Sequence, residues 1–372
     1  MKKIVSLLIT IFVLFGFAIT AEAVENITPE NLSEEIKQEL TDVIDSDVKD
    51  TLEYIGISDF DFSEIYNISF SKISDYFAET LKDKISYFAE EISQLFCVIF
   101  IYSIVASVFD VGSNSMFNTI CTIVIILLSV GIASESLSAT ISALETSGKF
   151  VVGFAPIYTM LISFTGNTAL ALTYNTFVMF LGELISYVIT FGIKDFIGVY
   201  FCLGISFSIN ESINLNKFVS VINKITYTAL GFTASVFSGF LSLKSILSIS
   251  LDKVSVKSIR FLISSMIPVV GSSISDAYSS LLGSINLIKG SVAFIGIIVV
   301  VIINLPIIIE NLICYISFTA LSYIADSFLS TRTAEVLRFI ASGIRILLLL
   351  SVFEMFIIII TVGVTLSARG GA

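Results

Sequence analysis

The sequence predicts an all-α fold, a polytopic helical membrane protein of about eight spans preceded by an exported amphipathic helical region. Hydrophobic residues make up 55% of the 372 residues and charged residues only 14%, which excludes an ordinary soluble domain. Runs such as Ile285–Ile309 and Ile340–Leu366 are long enough to cross roughly 30 Å of hydrocarbon at about 1.5 Å per residue. Most of the acidic charge, in contrast, precedes Gln94.

The N-terminus has the three parts of a signal peptide. Met1-Lys2-Lys3 is basic, Ile4–Thr20 is apolar, and Ala21-Glu22-Ala23 matches the small-residue cleavage pattern. We therefore predict a signal peptide over residues 1–23, cleaved after Ala23. The alternative is an uncleaved first membrane helix.

Residues 24–93 form the predicted exported region. Between Val24 and Glu91 there are 18 Asp and Glu against five Lys, a net charge of −13. This charge disfavours nucleic acid and anionic lipid headgroups as partners, because their phosphates would be repelled. A solvated face or a basic protein partner remains compatible with it.

Two amphipathic helices are expected in this region. Thr28-Pro29 is a typical helix start and Gly56 a typical end. Between them, apolar residues recur every four positions, and the second helix is expected to continue into the first membrane span. The first members of the stripe are candidates for partner docking: Leu32, Ile36, Leu40 and Ile44. The sequence leaves open whether the stripe packs on its own chain, on the membrane surface or on a partner.

The membrane part divides into a first bundle over residues 94–213, a basic, partly cytoplasmic segment over 214–260, and a second bundle over 261–372. The positive-inside rule places two basic clusters in the cytoplasm. They are Lys217, Lys224, Lys244, Lys253, Lys257 and Arg260, and Arg332, Arg338 and Arg345. The candidate spans are Gln94–Phe109, Met116–Ala133, Lys149–Gly166, Ala169–Phe191, Phe196–Ile209, Ile225–Leu247, Ile285–Ile309, Asn311–Ala325 and Ile340–Leu366.

The residue inventory argues against an enzyme. The chain has no histidine, which removes His-based acid–base catalysis, the Ser-His-Asp triad and nearly every zinc site. No phosphate-binding lysine loop or nucleophile-elbow motif occurs. We expect no catalytic activity, no cofactor and no metal.

Two groups of polar residues in apolar surroundings are candidate functional sites. Pro268, Gly271, Ser275 and Asp276 predict a helix break that lines a pathway or a subunit contact, unless the segment is an ordinary loop. Glu183, Glu354 and Lys289 are candidate intramembrane polar residues. The two glutamates would serve as a proton or cation site, or only fix helix packing. Lys289, Glu310 and Arg345 lie near span ends, where snorkelling would explain them.

The order of these features resembles the stage III sporulation protein AE family of endospore-forming bacteria. The resemblance covers essentially the whole chain. It is clearest over Phe261–Gly296, and also over Leu230–Ile246 and Phe154–Asn167. The family's Pro-x-x-Gly and Ser-Asp pattern corresponds to Pro268, Gly271, Ser275 and Asp276, and its lysine to Lys289. Ala293 stands where the family usually has glycine.

The resemblance implies a non-enzymatic subunit of the channel or secretion-like complex between mother cell and forespore, acting as a scaffold or an export gate. It places the protein in the mother-cell membrane around the forespore, with residues 24–93 between the two membranes. The implied partners are other membrane proteins of the same complex, an ATPase component among them, together with membrane lipid. The competing hypothesis is a stand-alone secondary transporter for a small solute or ion.

Overall fold

The computed structural model describes residues 29–57, 70–108, 115–164, 271–328 and 331–367, together with parts of 171–239 (171–172, 174–176, 178, 198–200, 217–235 and 237–239). Its six long elements are all helices, in agreement with the predicted fold class. They are α1 (Pro29–Val43), α2 (Ser46–Ile55), α3 (Phe70–Val108), α4 (Ser115–Phe164), α5 (Gly271–Phe328) and α6 (Thr331–Ser367).

The described residues before Gln94 form two short helices and the start of a third, where the sequence predicts two helices. Helix α1 begins at Pro29, and α2 ends at Gly56, whose φ of 100° is left-handed and suits glycine. The predicted single helix between them is interrupted at Asp45, whose carboxylate accepts a 2.7 Å hydrogen bond from the Ser46 backbone N–H. Such a capping side chain competes with helix continuation. Helix α3 runs unbroken into the first predicted span, as expected.

Within the described residues, four helical stretches are long and apolar enough to cross a membrane: Ser71–Val105, Ile120–Phe164, Gly283–Ser327 and Thr333–Gly363. The predicted count of about eight spans is not confirmed. Met116–Ala133 and Lys149–Gly166 both belong to α4, and Ile285–Ile309 and Asn311–Ala325 both belong to α5. Neither polar stretch ends its helix. Ser136, Thr140 and Ser147 of the first stretch face the interior while its other polar side chains are largely exposed, and Glu310 of the second stretch is buried. The candidate spans between residues 169 and 247 lie largely outside the described residues.

Helix α5 lies at the centre, because each of the other five long helices packs against it. The buried side chains form two main clusters along it. We call core A the cluster that α1 and α2 build with residues 150–178, 285–303 and 358–362. We call core B the cluster of residues 88–99, 125–144, 314–325 and 334–347, with Tyr200 and Ile222. Each core therefore contains residues of both predicted membrane bundles.

The apolar stripe of α1 and α2 packs on its own chain. Ile36, Leu40 and Ile44 are buried in core A, and the stripe continues through α2 to Leu52 and Ile55. The side chain of Leu32 lies outside the description. A partner could reach the predicted docking residues only if α1 left core A, so the face that α1 and α2 offer to a partner is their acidic one.

Helix α4 packs closely against α1 and against α5, at two glycines. A Cβ atom placed on Gly153 would lie 2.6 Å from the nearest methyl carbon of Val43, and one placed on Gly296 would lie 2.6 Å from the Phe154 ring. Both distances are far below van der Waals contact. Glycine at these positions is what lets α1 and α4, and α4 and α5, approach so closely.

We predict that Gly153→Ala destabilises the protein by about 1–3 kcal/mol through overpacking against the stiff, β-branched Val43. Gly131→Ala is the matched control on the same helix, because nothing lies within 4 Å of a Cβ placed there. Relief of the glycine penalty should stabilise that control by up to about 1 kcal/mol. Thermal unfolding in detergent measures both changes. Equal effects at the two positions would contradict the close contact.

Candidate functional site

A layer of buried polar side chains lies between core A and core B. Helix α4 contributes Ser136, Thr140 and Ser147, and α5 contributes Asn304, Glu310 and Asn311. Of these, all but Glu310 have no exposed surface. We call this set, together with Lys84 of α3, the polar layer. Buried polar groups are costly unless hydrogen-bonded, so their partners decide whether the layer stabilises the fold.

Asn311 is held by two side chains of α4. Ser136 Oγ donates to Asn311 Oδ1 at 2.8 Å, and Asn311 Nδ2 donates to Thr140 Oγ1 at 2.9 Å. Thr140 Oγ1 in turn donates to the Ser136 carbonyl at 2.7 Å. These three bonds form a short connected network, which fixes the direction of the amide as well as its position.

A second pair repeats this contact further along the helices. Asn304 Nδ2 donates to Ser147 Oγ at 2.7 Å and to the Val300 carbonyl at 3.1 Å. Asn304 and Asn311 are seven residues apart on α5, and Ser147 and Thr140 are seven residues apart on α4. Later residues of α4 thus meet earlier residues of α5, so the two helices run antiparallel. A seven-residue repeat is the spacing at which helices pack along one continuous seam.

An ion pair links the charged N-terminal part of α3 to this layer. Lys84 Nζ lies 2.7 Å from Glu310 Oε2, and the side chains are 33% and 5% exposed respectively. Nearby, Tyr87 donates from its hydroxyl to Glu135 Oε1 at 2.7 Å. The two contacts attach successive turns of α3 to α5 and α4.

Helix α2 is joined to α3 by a polar contact as well. Tyr54 of α2 donates to Glu79 Oε2 of α3 at 3.0 Å.

Partial burial, together with the charges of Glu35 and Asp42, raises the pKa of Glu39 above its ordinary value. Because the folded state holds that proton more tightly, Glu39 contributes stability below its ordinary pKa. This contribution is lost as the pH rises through the raised pKa.

The predicted intramembrane residues are buried where they can be described. Glu354 is 6% exposed, and neither of its carboxylate oxygens has a hydrogen-bond partner within the described part of the chain. Lys289 and Glu310 are each 3% exposed. The snorkelling interpretation of these two is wrong, because their charged ends are enclosed by protein. Glu183 lies outside the described residues.

The predicted helix break is only partly covered by the structure. Gly271, Ser275 and Asp276 lie in the first turns of α5, where the backbone is continuously helical. Their side chains, and Pro268 altogether, lie outside the description.

The geometry of the polar layer suits positioning of helices. Its serine, threonine and asparagine side chains are neutral hydrogen-bonding groups, and Glu310 has a lysine partner. Within the described part of the chain, no group of three or more His, Cys, Asp or Glu side chains could hold a metal ion. Sequence reasoning missed Ser136, Thr140, Ser147, Asn304 and Asn311. The signal was present as polar residues seven apart within apolar helices.

Comparison with known proteins identifies the family. A model described as stage III sporulation protein AE matches residues 57–367, which include the whole polar layer. The chain belongs to the stage III sporulation protein AE family. The resemblance predicted from the sequence is therefore confirmed, and α1 and α2 precede the matched stretch.

One curated relative of the same family aligns with part of the chain. The stage III sporulation protein AE of Bacillus subtilis (strain 168) is 22% identical over 225 residues. The alignment covers 60% of this chain and 53% of that relative, so it spans about half the relative's length. No solved structure matches the chain.

We predict that Lys84→Met destabilises the protein by about 2–3 kcal/mol, because Glu310 is left buried without its counter-charge. This expected loss of stability is at the low end for a buried ion pair, since Lys84 is 33% exposed. The double variant Lys84→Met/Glu310→Met should recover most of the loss. Chemical denaturation in detergent measures the three variants, and a double variant no better than Lys84→Met would contradict the pairing.

Proposed function

We propose that the chain is a non-enzymatic membrane subunit of the sporulation channel or secretion-like complex between mother cell and forespore, and that it acts chiefly as a scaffold. The observation that carries the scaffold role is the polar layer. It fixes α3, α4 and α5 to one another through hydrogen-bonded side chains within a chain of this family. The proposal places the protein in the mother-cell membrane around the forespore, with its mature N-terminus outside the cytoplasm.

The small size of the cavity within core A favours a scaffold over a solute pathway through that core. The cavity between α4 and α6, lined by Phe150, Phe154, Tyr174, Ile358 and Val362, encloses only about 10 Å³. That volume holds no more than about one water molecule. An export gate would therefore use a different part of the chain, such as the segment around Pro268, or a contact between subunits.

Charge complementarity suggests how other subunits dock. Helices α1 and α2 expose eight carboxylates: Glu34, Glu35, Glu39, Asp42, Asp45, Asp47, Asp50 and Glu53. Their apolar stripe is already covered by core A. A partner in the space outside the membrane would therefore meet an acidic surface, and a basic protein segment is the chemistry that this surface attracts. Nucleic acid is disfavoured on the same ground.

The test is crosslinking with affinity purification of a tagged copy from sporulating cells. We expect other membrane proteins of the complex, including the ATPase component, to be recovered with the full chain. Their recovery should fall severalfold when residues 24–93 are removed. A sharper variant is Asp42→Asn/Asp47→Asn/Asp50→Asn, which removes charge from the acidic face while leaving core A intact.

The matched control neutralises three exposed carboxylates of α3, Asp75→Asn/Asp83→Asn/Glu90→Gln. Loss of partners in the α1–α2 variant alone supports docking on that face. Equal loss in both variants would attribute the effect to overall charge. Purification of the full chain without any partner would contradict the scaffold proposal.

Glu354 supports the second candidate, a secondary transporter. An enclosed carboxylate with no hydrogen-bond partner in the described chain is a feature of coupling sites in membranes. This candidate predicts proton- or sodium-dependent solute uptake by the purified protein in vesicles, abolished by Glu354→Gln. Uptake that persists in the variant would exclude Glu354 as the coupling residue, and absence of uptake in the unaltered protein would exclude the candidate.

A further inference from the structure

We propose that the bilayer surrounds only the half of the bundle that contains core B, and that the half containing core A stands in water on the exported side. The interaction surface is the outward face of the α3–α4 hairpin, and its occupant is lipid. The polar layer then marks the level at which the bundle leaves the hydrocarbon.

The outward face of the hairpin is apolar on both helices. Leu95 and Ile99 of α3 point into core B, while Phe96, Phe100 and Ile104 on the same helix are exposed. Opposite them, α4 exposes Ile120, Val124 and Leu127. No charged residue occurs in α3 after Glu91 or in α4 before Glu135. A contiguous exposed apolar surface of this kind marks contact with a partner or with a membrane.

The height of this half matches a bilayer. From Glu135 back to Ser115, α4 rises about 30 Å, and from Glu310 to Phe328, α5 rises about 27 Å. The hydrocarbon layer is about 30 Å thick. Whole helices α4 and α5, at about 75 Å and about 87 Å, are far too long to lie within it.

The other half carries charge that lipid would not accept. Val43 at the end of α1 packs on Gly153 of α4, so α1 and α2 lie beside core A. Their eight exposed carboxylates would each cost about 2.5–3.5 kcal/mol at the bilayer centre. The outward face of α4 beyond Gly131 also turns polar, exposing Glu135, Ser138, Ser142, Glu145 and Lys149. Water is the environment that suits this level.

Positive charge at the opposite end supports the orientation. Thr122 and Thr333 are hydrogen-bonded at 2.9 Å, so the α3–α4 and α5–α6 turns lie at the same end of the bundle. Arg338, paired with Asp326 at 2.7 Å, and the exposed Lys217 lie near that end. Basic residues prefer the cytoplasmic side, which puts both turns in the cytoplasm and α1 and α2 outside.

This arrangement places the most apolar part of the chain outside the bilayer, whereas the sequence predicts a membrane span over Ile285–Ile309. Residues 285–303 of α5 would lie outside the bilayer, with most of their side chains buried against α1, α2, α4 and α6 and with Leu287 and Phe294 exposed. They would serve as the interior of a water-facing domain.

Single-tryptophan fluorescence tests the proposal, because the chain contains no tryptophan. Leu127→Trp reports on the core B half and Leu287→Trp on the core A half. The two leucines are matched, at 63% and 60% exposed. Each full-length variant is reconstituted into phosphatidylcholine–phosphatidylglycerol vesicles, with or without brominated acyl chains, and with iodide on both sides of the membrane.

We expect brominated lipid to reduce the emission of Leu127→Trp at least twofold and iodide to leave it unchanged. For Leu287→Trp, iodide should reduce the emission at least twofold and brominated lipid should leave it unchanged. Equal quenching of both variants by brominated lipid, or quenching of Leu127→Trp by iodide, would overturn the proposal. Phe100→Trp and Phe356→Trp, at 56% and 54% exposed, form a second matched pair should either leucine variant fail to fold.

Discussion

The antiparallel seam between α4 and α5 is the contact on which the rest of the described fold depends. Two asparagine amides on α5 are enclosed among apolar helices, where an unpaired amide would cost about 1–3 kcal/mol. Each is paired with hydroxyl side chains of α4, Asn304 with Ser147 and Asn311 with Thr140 and Ser136. Because α5 touches every other long helix, fixing α5 against α4 fixes the frame on which α3 and α6 pack.

The polar layer also gives the molecule two distinct ends. Core A is assembled with α1 and α2, and core B lies nearer the ends of the helices that the α3–α4 and α5–α6 connections join. Lys84 connects these environments, since its stem belongs to the charged part of α3 and its ammonium reaches Glu310 inside the bundle. A polar contact at the boundary between two apolar cores orients the helices in a way that apolar packing alone does not.

Local signals in the sequence predicted local structure well. Pro29 and Gly56 bound the first two helices, and the four-residue period correctly selected Ile36, Leu40 and Ile44 as one face. The period could not say what covers that face, because the covering residues lie more than 100 positions away. The Lys84–Glu310 pair, 226 residues apart, is equally invisible to a window of sequence. The sequence predicted breaks within α4 and α5 for a related reason. Ser136 and Asn311 look like interruptions of apolar runs until it is known that they hydrogen-bond to each other.

The seven-residue spacing of the seam has a mechanical consequence. A slip of one repeat in one direction would place Asn311 opposite Ala133, and a slip in the other would place Asn304 opposite Phe154. Either movement strands one amide against a side chain that cannot accept or donate a hydrogen bond, while the other amide keeps a partner. Helices α4 and α5 are therefore locked lengthwise. Within this pair, an axial displacement of one helix must carry the other with it.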